Sequence, residues 1–145
     1  MNTLFIQNPD NLSIPDVVLD VKSGKCTISG NSYMENACNF YQTILDWLTI
    51  YTRKYQRKMQ WDFHLGYYNS SSKKGLTNII RKLSDYQSSG GQIEVNWYYF
   101  KDDLDMLEDV EDLMAYYQFK INAIAYATTY QETWLAKHKK TRALA

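Results

Sequence analysis

With only two cysteines and two histidines in 145 residues, the chain lacks the usual means for several kinds of chemistry. Cys26 and Cys38 are too few for a disulfide framework, and neither stands in a Cys-x-x-Cys pair. Each reads as a small buried hydrophobe. A serine nucleophile needs a base, usually histidine. His138 lies in a basic tail, and His64, in an extended segment before Ser70, would stand roughly 20 Å from that serine. No Gly-x-Ser-x-Gly elbow is present either. Charge of one sign is not in excess, since Lys+Arg and Asp+Glu both number 16. That balance argues against a nucleic-acid binder, which draws its affinity from phosphate neutralisation. No apolar run approaches the roughly 20 residues that span a bilayer. Met1–Gln7 lacks a basic region followed by an apolar stretch, so no signal peptide is visible. A soluble cytoplasmic protein without direct membrane insertion is the expectation.

Ligand loops are missing as well. Gly90-Gly91 precedes a strand pattern rather than a helix, so it does not read as a phosphate loop. The acidic segment from Lys101 to Asp112 has neither the residue order nor the central glycine of an EF-hand. Neither metal nor cofactor is expected. Asp105, Glu108, Asp109 and Asp112 fall on one helix side, readable as a solvated face or as a docking face for a partner.

Apolar residues are plentiful, with 45% hydrophobic and 15% aromatic, thirteen of them tyrosine. That supports a real core, with some tyrosines serving a partner surface. Leu4-Phe5-Ile6 reads as an edge strand. Val17–Val21 and Cys26–Ser29, joined by Lys22-Ser23-Gly24-Lys25, read as a hairpin. A long helix then follows, with Ala37, Ile44, Leu48, Tyr51 and Tyr55 in its stripe. Ser32 and Glu35 have capping-box spacing for its start. Its basic end (Arg53, Lys54, Arg57 and Lys58) suits the helix dipole.

Met59–Tyr68 reads as a strand with Trp61, Phe63, Leu65 and Tyr67 on one face. A second helix runs from Ser71 or Ser72 to about Gln87. Ile93, Val95, Trp97 and Tyr99 mark another strand. Leu104, Leu107, Val110, Leu113 and Met114 form the inner face of a third helix, and Phe119, Ile121, Ala123 and Ala125 a last strand. The expected fold is therefore a single α/β (α+β) domain over residues 1–126, a mixed sheet packed by about three main helices. Residues 127–145 form a polar extension carrying Lys137, Lys139, Lys140 and Arg142. It reads as a loose tail or as a helix docking through Tyr130, Trp134 and Leu135.

The strand-to-helix corner Asn69-Ser70-Ser71-Ser72 concentrates three hydroxyls where a helix begins. One serine suffices to cap a helix, so capping and a functional role both remain open from spacing alone. Asn69-Ser70-Ser71 also spells a glycosylation sequon, which has no use in a chain without a secretory signal.

Several segments together resemble a known family. Gly30-Asn31-Ser32-Tyr33-Met34-Glu35-Asn36, then Trp47, Leu65-Gly66-Tyr67-Tyr68-Asn69-Ser70-Ser71-Ser72-Lys73-Lys74, Val95-Asn96-Trp97-Tyr98-Tyr99 and the Asp-rich segment follow in order. Over about Leu4 to Ala125 the chain is similar to the SiaC-type bacterial regulatory phosphoproteins. The resemblance implies a STAS-like fold and a non-enzymatic switch protein, phosphorylated by a dedicated kinase and dephosphorylated by a PP2C-type phosphatase. It further implies that the unphosphorylated form binds an effector such as a diguanylate cyclase, in cyclic di-GMP and biofilm control. The acceptor implied is Ser70, in place of the family's threonine, with Ser71 as a secondary candidate. Asn69, Ser71, Ser72, Lys74, Tyr33, Glu35 and Asn36 are implied as motif and partner-binding residues. Met34 replaces a proline of the family's motif, and Val110 a glycine. The readings from other classes are a small enzyme with a hydroxyl or carboxylate site and a constitutive interaction scaffold.

Overall fold

Alternating apolar residues build the strands, and their period-two burial is visible in the computed structural model, which describes residues 1–129 and 131–133. Strands β1 (Leu4–Ile6), β2 (Asp16–Leu19) and β3 (Lys25–Ser32) come first. Helix α1 (Ala37–Lys54), β4 (Met59–Tyr68), α2 (Ser70–Ser88), β5 (Ile93–Phe100), α3 (Leu104–Tyr117) and β6 (Asn122–Tyr126) then alternate. The six strands lie side by side in chain order, β1-β2-β3-β4-β5-β6. The first two pairings are antiparallel and the rest parallel. Successive parallel neighbours joined by crossovers of one hand place their helices on the same face of the sheet, and α1, α2 and α3 all contribute to one core.

Between that face and the helices lies one core. Ile28, Trp61, Phe63, Leu65, Val95 and Trp97 from the sheet meet Tyr41, Ile44, Leu48, Leu76, Ile80 and Val110 from the helices. The α2 stripe of Leu76, Ile79, Ile80, Leu83 and Tyr86 is buried as its spacing predicts. Gly75 lets α1 and α2 approach closely, since a Cβ there would collide with the Tyr41 ring.

The opposite sheet face is polar and aromatic. Asn122 donates to Asn96 at 3.0 Å, and Asn96 to Asp62 at 2.9 Å. His64 stacks on Tyr98 with ring centroids 4.1 Å apart, and its Nδ1 lies 2.6 Å from the Tyr126 hydroxyl.

Local detail departs from the pattern in five places. Ser32 does not cap α1: it ends β3, fully buried, and α1 starts at Ala37 with Asn36 at the N-cap and no side-chain cap bond. The pairing of β3 with β4 continues past a register step, Gly30 opposite Leu65 and Asn31 opposite Tyr67, which carries Ser32 into the sheet. Gly66 is the extra residue of that bulge. Beyond it the alternation inverts, so Tyr67 is exposed rather than inward. Leu104 is exposed too, and Met106 takes the inner position on α3. Phe119 and Ile121 are buried but precede the last strand. Finally, Cys38 is exposed, while Cys26 is buried as expected.

Thr129 and Glu132 exchange reciprocal backbone–side-chain hydrogen bonds, a capping box. Tyr130, Trp134, Leu135 and the basic residues of the extension, with His138, lie outside the described residues.

Candidate functional site

The Asn69–Ser72 corner sits at the carboxyl end of β4, the end at which parallel sheets place their ligand-facing loops. Asn69 is the N-cap of α2, and its Oδ1 accepts the Ser72 amide at 2.9 Å. Its backbone amide donates to the Ser32 carbonyl at 3.0 Å, fixing the corner to β3. The helix therefore begins at Ser70, earlier than expected, and the cap is asparagine rather than serine.

That geometry separates the three hydroxyls. Ser72 is fully buried, and its Oγ accepts from Ser32 Oγ at 2.8 Å. Ser32 Oγ is in turn 2.7 Å from Tyr41 Oη, and Met34 Sδ lies 3.9 Å from Ser72 Oγ. Burial pushes the Tyr41 phenol up to about 12, despite its hydroxyl partners. Ser71 is exposed and reaches Asn69 Oδ1 at 3.4 Å. Ser70 is exposed at the first helical position, and its hydroxyl has no hydrogen-bond partner among the described residues. Asn69 takes the amides of Ser72 and Lys73, which leaves those of Ser70 and Ser71 at the positive end of the helix dipole, where negative charge is favoured.

The remaining motif residues flank this corner. Tyr33 and Tyr67 are exposed at 44% and 53%, with ring centroids 6.1 Å apart, an aromatic pair open to solvent. Glu35 and Lys74 are exposed, and Asn36 stands at the α1 N-cap. Tyr33, Glu35 and Asn36 follow β3, whereas Ser70 and Lys74 follow β4, the adjacent strand.

Sequence reasoning missed a second cluster beside the corner. Lys73 Nζ lies 2.9 Å from Asp109 Oδ1 on α3, and the Tyr68 hydroxyl donates to Asp109 Oδ2 at 2.7 Å. Asp109 is thus half-buried and engaged, whereas Asp105, Glu108 and Asp112 are exposed. Burial, with the Asp109 carboxylate adding to it, holds the Tyr68 phenol well above its usual range. The hydrogen bond to Asp109 raises the Lys73 ammonium. Only the acidic helix pattern hinted at this pairing, since no local spacing links Lys73 to Asp109.

His64 is a partly buried strand residue, and desolvation lowers its pKa. No group of three or more His, Cys, Asp or Glu side chains among the described residues is arranged to hold a metal ion. No helix among them is long and apolar enough to cross a membrane.

The sequence model of the SiaC family of regulatory phosphoproteins matches residues 8–126. The chain belongs to this family. It is thereby a regulatory protein and not an enzyme. An uncharacterized protein of Pseudomonas aeruginosa (strain UCBPP-PA14) is 29% identical over 91 residues, which cover 63% of this chain and 72% of that one. Apo-SiaC from Pseudomonas aeruginosa superposes with a TM-score of 0.77 at 27% identity, covering 86% of this chain and 100% of that one. The structure of the diguanylate cyclase SiaD in complex with its activator SiaC, from the same organism, matches at a TM-score of 0.78 and 26% identity. That match covers 85% of this chain and 99% of the other. The mixed six-stranded α/β architecture is thus that of SiaC.

Proposed function

We infer that this chain is a phosphorylation-switched regulator whose state is written at Ser70 by a protein kinase and erased by a PP2C-type phosphatase, in the cytoplasm. In its unphosphorylated form it binds an effector of the diguanylate cyclase class. The observation carrying this reading is the contrast among the hydroxyls: Ser72 is buried and bonded, while Ser70 is exposed and has no hydrogen-bond partner among the described residues. The SiaC–SiaD complex supports the choice of effector class.

Phosphoserine adds about −1.5 to −2 charges with strong acceptor oxygens. The amides at the start of α2 accommodate that charge within the molecule. In a partner interface the same charge opposes burial, because desolvating it is expensive. Tyr33 and Tyr67, exposed near this corner, suit an interface from which a phosphate would exclude a partner. Phosphorylation therefore weakens effector binding.

Intact-mass analysis of protein from its native host, with site mapping, tests the assignment. A phosphate on Ser70 that PP2C-type treatment removes is the expected result. Strong partner binding with no phosphate under any growth condition would leave a constitutive scaffold instead.

A further inference from the structure

We propose that a phosphate on Ser70 takes Lys73 from Asp109, so that phosphorylation at the corner loosens the hold of α2 on α3. This rests on the reading of Ser70 as the modified residue and adds a route by which its state reaches a second surface.

Ser70 and Lys73 are three apart in the first turns of α2, a spacing that makes side chains neighbours on a helix. The Lys73–Asp109 contact of 2.9 Å is the one hydrogen bond or ion pair joining α2 to α3 among the described residues. Helix α3 carries five acids, Asp105, Glu108, Asp109, Glu111 and Asp112, and no Lys or Arg. Asp112 and Glu108 act on the Lys73 ammonium in addition to Asp109. Among the described residues Lys73 is thus the one cation paired with a carboxylate of this acidic helix, through a side chain about half exposed to solvent.

A phosphate at Ser70 offers that ammonium a dianion on its own helix, at lower conformational cost than a carboxylate on another element. Asp109 then keeps the Tyr68 hydroxyl as its remaining partner, and the acids of α3 face added negative charge. The groove between the helices, of about 400 Å³ and lined by Thr77, Leu113 and Tyr117 beside the ion pair, lies next to this bridge. A partner touching α3 would sense the modification without touching the phosphate. Lys74, four residues after Ser70 and exposed, is the competing cation.

The test uses full-length chain with phosphoserine installed at position 70 by codon suppression, so it does not depend on the kinase. Lys73→Met, Asp109→Asn and the double variant form a mutant cycle read by urea unfolding, with and without the phosphate. A coupling of about two- to five-fold in the unfolding constant is expected without phosphate. With phosphate it should vanish. Coupling that persists unchanged would overturn the proposal, whether or not Ser70 is the acceptor in the host. Amide exchange in the unsubstituted chain gives a second reading: Leu104–Leu113 should exchange about threefold faster or more when phosphorylated. Unchanged exchange, or an acceleration lost in Lys74→Met, would overturn it as well. Loss of Ser70 phosphorylation in the host would instead remove the reading on which the proposal rests.

Discussion

Ser32 Oγ donates to Ser72 Oγ at 2.8 Å, joining the end of β3 to the first turn of α2 inside the core. This bond removes one of three adjacent serines from solvent and ties the corner to the sheet. Ser72→Ala should lower stability by about 1–2 kcal/mol, the range for leaving a buried polar partner short of a bond. Urea unfolding checks this, and a change within error would show the hydroxyl to be dispensable.

Asn69 caps α2 through its bond to the Ser72 amide. Asn69→Ala should cost about 1 kcal/mol, while Asn69→Asp, which keeps the accepting oxygen, should cost less. The comparison by thermal or urea unfolding separates capping from a general effect of substitution. Equal loss in both variants would contradict the cap.

Gly75 faces the Tyr41 ring at the contact between α1 and α2. Gly75→Ala gains helix propensity but forces the helices apart. Overpacking of this kind costs about 1–3 kcal/mol, so a lowered melting temperature is expected. A raised one would show that the ring gives way freely.

His64 contributes a pH dependence with a definite sign. Burial lowers its pKa from 6.5 in the folded chain, and the nearby Asp62 carboxylate opposes that shift. Below 6.5 the unfolded chain binds the proton more readily than the folded one, so stability falls as pH drops through that value toward the folded pKa. His64→Gln should flatten the stability profile between about pH 7 and 5. An unaltered profile would show that another group carries the dependence.

Where one local period governs, the fold was legible in the sequence. Trp61, Phe63 and Leu65 alternate because one face of β4 meets the helices. Leu76, Ile79, Ile80 and Leu83 repeat because one stripe of α2 meets the sheet. The period fails at Gly66, where an unpaired residue inverts Tyr67 and Tyr68, and a bulge is set by pairing between strands rather than by residue type. Ser32 looked like a cap because its spacing to Glu35 permits one, but parallel pairing with β4 claimed it first. The corner itself was visible as a surplus of hydroxyls. Which of them is free follows from the β3–α2 contact, and the Lys73–Asp109 bridge from the packing of α3, neither of which is encoded within a short window.

The central claim concerns the Ser70 oxygen, and effector affinity tests it most directly. Full-length chain with serine, phosphoserine or Ser70→Ala at that position is titrated against the diguanylate cyclase-class effector from the same host. Serine and Ser70→Ala should bind alike, and phosphoserine at least about tenfold more weakly, a difference of about 1.4 kcal/mol. Equal affinity for the serine and phosphoserine forms would contradict the account.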